Sequence, residues 1–195
     1  MMAMCLPERL MPTKTPEIKA IPTEYRGHRF RSRTEARWAC FFDNCGWPWE
    51  YEALDLDGYI PDFILTFPHA PVLVEVKPVL YQKDFEPHWA KIKASGWDKE
   101  ALIVGARIFD QGDQWSDVAI MGSMAERDEN GHWDTAPSIL ETCEKCKCIS
   151  FFHDSGTWRC RVNGCYEGDH YLNPWSYEEG RKLFADCGGV VQYNT

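Results

Sequence analysis

Between Val72 and Lys77 the chain reads Val-Leu-Val-Glu-Val-Lys, an apolar strand pattern that contains a carboxylate and an ammonium group. A short run of this kind marks a strand buried on both faces. Charged side chains are almost never fully buried unless they are paired or liganded. Alternate residues of a strand share a face, so Glu75 and Lys77 point one way and Val74 and Val76 the other. The preceding segment, Tyr59 to Phe67, is also strand-like, and Pro68-His69-Ala70-Pro71 supplies a turn. A hairpin centred between Pro68 and His69 sets Asp62 opposite Glu75. Taking all of Pro68–Pro71 as the loop sets Asp62 opposite Lys77 instead, on the same face. Either register gathers two carboxylates and a lysine, a donor set for a divalent cation with an amine beside it.

Pro61-Asp62 followed by Glu75-Val76-Lys77 resembles the signature of the PD-(D/E)XK nuclease superfamily, with Glu35 standing where that family often carries a further acid on an upstream helix. The resemblance spans residues 25–104, somewhat under half the chain. It implies an α/β (α+β) architecture, the restriction-endonuclease-like mixed central sheet flanked by helices, with a nuclease core over residues 25–125. It implies a Mg²⁺-dependent (or Mn²⁺-dependent) deoxyribonuclease, with endonuclease cleavage favoured. Asp62, Glu75 and the carbonyl of Val76 would hold Mg²⁺, Glu35 would help to hold it or a second ion, and Lys77 would handle the attacking water or the developing phosphate charge. The alternative is a catalytically silent nucleic-acid-binding or assembly adaptor on the same fold. The compact size and a zinc-bearing appendage look like nucleases of bacteriophages and mobile elements, which would act in the host cytoplasm.

The net charge of −9 argues against a simple nucleic-acid binder, but it is uneven. Residues 1–40 carry eight basic and four acidic side chains, leaving 13 basic against 26 acidic in the rest. Arg29, Arg31, Arg33 and Arg37 cluster around Glu35, where they could hold DNA phosphates while the acidic remainder limits nonspecific affinity. No segment approaches the roughly 20 apolar residues of a membrane helix. The first residues lack the charged start and apolar core of a secretory signal, so a cytoplasmic protein is expected. The oligomeric state, monomer or homodimer, is open at this stage.

Nine cysteines in a reducing compartment read as thiols or metal ligands before disulfides. Cys143-x2-Cys146 and Cys160-x4-Cys165 are two close pairs separated by thirteen residues. Each pair brackets a tight turn, so four thiolates can close a tetrahedral shell around structural Zn²⁺. The pattern resembles a zinc ribbon over residues 140–172, with strands at Ile149–Phe152 and Gly156–Arg159, serving to contact DNA or a protein partner. Cys148 competes with Cys146, and His153 or His170 could replace a cysteine. A linker of the Glu126–Gly131 type would separate the ribbon from the core, so that chelation loosens residues 140–170 before it touches the nuclease site.

Residues 1–24 read as an extended arm. Ser32 or Thr34 can cap a helix that runs to about Asn44 and stops at Cys45-Gly46-Trp47-Pro48. Trp49–Glu52 alternates like a strand, Asp84–Ser95 reads as a helix ended by Gly96, and Ala101–Gly105 and Val118–Met121 as strands. Over residues 173–195 a helix is expected through Phe184, stopped by Cys187-Gly188-Gly189, with a strand-like tail at Val190–Tyr193.

Overall fold

The computed structural model describes residues 20–111, 117–154, 159–165 and 172–192. Most of the expected N-terminal arm, the first part of the expected Gly156–Arg159 strand and His170 therefore lie outside the described residues. The rest is a mixed α/β structure. A hairpin of β1 (Thr23–Tyr25) and β2 (His28–Phe30) turns through Arg26 and Gly27, both with positive φ. It leads into α1 (Arg33–Cys45), which starts at the Ser32 cap and ends at Gly46 in the left-handed conformation.

The main sheet follows. Strands β3 (Trp49–Tyr51), β4 (Phe63–Thr66) and β5 (Pro71–Val76) are antiparallel neighbours, and β6 (Ala101–Phe109) lies parallel to β5. The β5–β6 crossover contains two 3₁₀ turns (Gln82–Asp84 and Glu86–His88) and α2 (Trp89–Ala94). Pro87, which strained the expectation of one helix from Asp84, falls within the second 3₁₀ turn. Then β7 (Ile120–Arg127), β8 (Trp133–Cys143) and β9 (Ile149–His153) continue antiparallel, β10 (Leu172–Pro174) pairs with the end of β8, and α3 (Tyr177–Gln192) closes the described chain.

Strand alternation sorts the core into two layers. Phe63, Leu65, Val72, Val74, Val76, Leu102 and Val104 face α1 and α3. Ile64, Leu73, Ala101 and Ile103 face α2 together with Phe85, Trp89 and Ile92. The central strands are thus buried on both faces, as the unbroken apolar runs require.

Two expectations change. The segment 128–132 is not a linker but the tight turn of the β7–β8 hairpin, closed by Asp128 N–H to His132 O (2.9 Å) and Gly131 N–H to Asp128 O (3.0 Å). The strand that bears Cys143 is therefore a member of the main sheet, and β9 pairs with that same strand. Second, α3 runs straight through Gly188 and Gly189, and residues 190–192 of the expected tail strand are its last turn, Tyr193 lying outside the described residues. The helix is secured by a capping box, in which Ser176 Oγ accepts from Glu179 N (3.3 Å) and Glu179 Oε2 accepts from Ser176 N (2.8 Å). Two of its glycines, Gly180 and Gly188, allow close contact. A Cβ on Gly180 would lie 2.6 Å from Ala119 Cβ, and one on Gly188 would collide with the Arg37 guanidinium.

Gly180→Val should accordingly destabilise the fold by about 1–3 kcal/mol through overpacking. Gly189 meets nothing within 4 Å, so Gly189→Ala should be neutral or stabilising, by up to about 1 kcal/mol from helix propensity. Urea unfolding of both variants separates the two effects.

Candidate metal and nucleic-acid sites

The β4–β5 register runs Phe63↔Val74, Ile64↔Leu73, Leu65↔Val72 and Thr66↔Pro71. Extended by one pair it places Asp62 across from Glu75, the first of the two registers expected. Asp62 stands just ahead of β4, and its side chain carries the ladder on, Oδ2 accepting from Val76 N–H at 2.7 Å. Both carboxylates are buried, at 3% and 7% exposure, in an environment where charge needs compensation. Compensation comes from neighbours. Arg31 Nη2 meets Asp62 Oδ1 at 2.5 Å, while Arg31 Nε pairs with Glu52 at 2.9 Å. Glu75 accepts from Lys77 through one oxygen and from the Tyr59 hydroxyl (2.8 Å) through the other.

This is not full neutralisation. Burial first, and then the Glu75 charge, push the Asp62 carboxyl from 3.8 up to about 7, against the opposing hydrogen bond from Val76. The same two causes, burial and then the Glu75 charge, hold the Tyr59 phenol above its ordinary range.

Glu35 comes from the other side of the sheet, on the first turn of α1. It caps that helix: Glu35 N–H bonds Ser32 Oγ (3.1 Å), Oε1 accepts from Ser32 Oγ (2.8 Å), and Oε2 accepts from Tyr51 OH (2.7 Å) and Arg31 N–H (3.1 Å). Its link to Asp62 is electrostatic and runs beside Arg31, whose backbone touches one acid and whose guanidinium holds the other.

The four expected arginines separate. Arg29 is exposed on β2, and Arg31 is committed to Glu52 and Asp62. Arg33 lines a recess of about 320 Å³ with Ser32, Glu35, Val76 and Pro78. Arg37 lies over the Phe184 ring at 4.9 Å, inside the α1–α3 contact. A second recess, on the Glu75 side of the sheet, is bounded by Tyr59, Glu75, Lys77, Pro87, His88 and Lys91. His88 and Lys91 were not legible as site residues, because no residue pattern ties the crossover helix to the hairpin.

The cysteines form a separate constellation. Cys143, Cys146, Cys160 and Cys165 bring their sulfurs within 4.8 Å of one another, and this set could hold a metal ion. The two turns that present them share a plan. Cys146 N–H points at Cys143 Sγ (3.5 Å) and Lys147 N–H at Cys143 O (2.8 Å). In the second turn Asn163 N–H points at Cys160 Sγ (3.5 Å) and Gly164 N–H at Cys160 O (2.8 Å). Lys147 and Gly164 take positive φ at equivalent steps. Asn163 thus stands where Cys146 stands in the first turn, and Gly164 uses the step that separates Cys160 and Cys165 by four residues. Backbone N–H groups aimed at sulfur favour thiolates, which fits the donor set that zinc prefers.

Cys148 is not in the cluster; its sulfur accepts from Asn163 Nδ2 (3.4 Å). His153 is buried on β9 opposite Ser138, with Nε2 near Asp134 O (3.3 Å), and does not replace a cysteine.

The second turn is anchored deeply. Arg161, 1% exposed, joins Glu100 (3.0 Å) and Glu126 (2.8 Å), and Arg159 adds a second contact to Glu100 (2.5 Å). Glu100 leads into β6 and its carbonyl accepts from Leu73 N–H (3.2 Å), so this network ends on the strand that carries Glu75. Gly164 packs on the His69 imidazole at the β4–β5 turn. That turn is the far end of the hairpin from Asp62, roughly 15 Å away by strand rise. Glu141, fully buried on β8 with no hydrogen-bond partner for either oxygen, has its carboxyl pushed up to about 7 by burial.

No protein-family model, curated protein or solved structure matches the chain. Among the described residues no helix is long and apolar enough to cross a membrane.

Two outcomes follow from this geometry. Elemental analysis should find about one zinc per chain, bound through Cys143, Cys146, Cys160 and Cys165. Hydrogen exchange after chelation should show protection lost at Ala101–Val104 as well as in residues 140–165, because the Arg161 anchor leaves with the turn.

The raised Asp62 carboxyl makes the folded state bind more protons than the unfolded state between pH 3.8 and about 7, so its contribution to stability falls as pH rises through that window. In metal-free protein, Asp62→Asn should therefore melt higher than wild type at pH 8, by about 2–4 °C per kcal/mol relieved. The gain should vanish toward pH 4.

Proposed function

We propose that the chain is a metal-dependent phosphodiesterase acting on DNA, of the PD-(D/E)XK kind. The observation that carries this reading is the buried pair of carboxylates, Asp62 and Glu75, set opposite each other with Lys77 on the same face. The order of elements is compatible with it: an upstream helix bearing Glu35, an antiparallel hairpin bearing the acids, a short crossover helix, and a strand parallel to the Lys77 strand.

The residues fit a divalent cation in their chemistry. Two buried oxygen-donor side chains repel each other, and burial followed by the Glu75 charge raises the Asp62 carboxyl to about 7, so added positive charge is favoured here. Arg31 supplies that charge in this structure from an exposed position, with 58% of its side chain in solvent, so it can swing away without unpacking the core. A Mg²⁺ ion bound here would polarise the phosphodiester and make water a better nucleophile.

Asp62 and Glu75 would hold that ion. Lys77, 27% exposed at the rim, can release Glu75 and present its ammonium to a non-bridging phosphate oxygen or to the attacking water. Tyr59 keeps the orientation of Glu75 through its 2.8 Å hydrogen bond. Glu35 fixes the start of α1, and with it the position of Arg31.

One feature favours the adaptor alternative: Arg31 and Lys77 already occupy the carboxylate oxygens, as they would in a chain that has lost its metal.

Purified protein with Mg²⁺ against linear, circular, single-stranded and four-way-junction DNA decides between them. Cleavage of at least one form is expected. Lys77→Ala and Asp62→Asn should each remove it, by at least about a hundredfold, while circular dichroism shows the fold intact. Wild-type protein that cuts none of the four with Mg²⁺ or Mn²⁺ would leave the adaptor.

A further inference from the structure

The crossover between β5 and β6 presents two side chains that the reading above does not use. Phe85, Trp89 and Ile92 are buried at a helical spacing and fix this segment to the sheet, and Trp89 Nε1 also bonds Ser123 Oγ at 3.1 Å. With those three positions facing inward, His88 and Lys91, three residues apart, fall on one neighbouring stripe. That stripe borders the recess of about 260 Å³ whose other walls are Tyr59, Glu75, Lys77 and Pro87. The volume is below that of most whole-ligand pockets and suits one phosphate with part of its sugar.

We propose that this recess is a second phosphate subsite, in which Lys91 and His88 hold the phosphate next to the scissile one on the same DNA strand. The proposal rests on the phosphodiesterase reading and adds residues and a substrate contact to it. The donors suit that ligand. Lys91 is exposed and forms no salt bridge among the described residues, so its charge faces solvent. Lys77 and Glu75, paired with each other, line the same recess and join it to the Asp62–Glu75 pair. Burial, and then the Lys77 charge, hold the His88 imidazole below its ordinary value against the opposing pull of Glu75 and Asp84. Near neutral pH His88 is therefore an uncharged N–H donor beside a cationic one. Tyr59, whose hydroxyl donates to Glu75, lines the same recess.

The division between one charge and one neutral hydrogen bond gives the test its resolution. Binding of a fluorescein-labelled DNA duplex is measured with Ca²⁺ in place of Mg²⁺, over a salt series, for the full chain. Lys91→Ala should weaken binding about tenfold and lower the slope of log K against log salt by about 1, the signature of one lost phosphate contact. Lys91→Arg should restore both. His88→Ala should weaken binding several-fold with the slope unchanged. Lys93→Ala, which removes an equal charge from an exposed position of the same helix outside the recess, should leave both close to wild type. If Lys91→Ala matches wild type, or if Lys93→Ala is as damaging, the subsite is wrong while the phosphodiesterase reading stands. If wild-type protein binds no DNA at all, that reading falls and the subsite falls with it.

Discussion

Two carboxylates buried side by side at the end of the β4–β5 hairpin set the terms for everything around them. Burial and the Glu75 charge oppose ionisation of Asp62, and the fold answers with cations drawn from separate parts of the chain. Lys77 comes from the same strand, and Arg31 from the hairpin that precedes α1. Arg31 is in turn positioned by the Glu35 carboxylate and the Tyr51 hydroxyl, which bond its backbone N–H. The N-terminal hairpin, α1 and the sheet are thus tied at one point by charge as well as by packing. A carboxylate pair buried this way costs the fold free energy that Arg31 and Lys77 offset only in part.

A second charged network performs the same service for the cysteine-bearing turns. Arg161 is buried with Glu100 and Glu126, and breaking such a pair by removing one partner typically costs about 3–5 kcal/mol, because the remaining charge is stranded. The turn that carries Cys160 and Cys165 is therefore held to Glu100, just ahead of β6, and to the end of β7. Metal at the cysteines and order in the central strands become parts of one equilibrium rather than two. The cysteine-bearing unit is a continuation of the sheet. Its first turn is the β8–β9 connection, and its second packs against the tip of the β4–β5 hairpin.

Much of this was legible from residue patterns. The Val72–Lys77 run and the Pro68–Pro71 turn gave the hairpin and the shared face of Asp62 and Glu75, leaving two registers between which the structure chose. Ser32 and Gly46 marked both ends of α1, since caps act through the local backbone. The cysteine spacing gave the cluster, because two short turns fix which thiols can meet. All of these are local effects, operating within about ten residues.

What the sequence left open was settled at longer range. Gly188 and Gly189 read as a helix stop, yet α3 continues through them in its packing against α1, where the missing Cβ of Gly188 leaves room for the Arg37 guanidinium over Phe184. Arg37 looked like a phosphate ligand and became a packing group in the same contact. The stretch after β7 looked like a linker, yet β8 had an open edge of β7 to pair with, and strand pairing outweighs local polarity. His88 and Lys91 gained their place only when Trp89 and Ile92 were buried and the crossover was rotated toward Glu75. A sequence states what each short segment can become. Which side chains share a cavity depends on contacts between residues far apart in the chain, and those exist only once the sheet has closed.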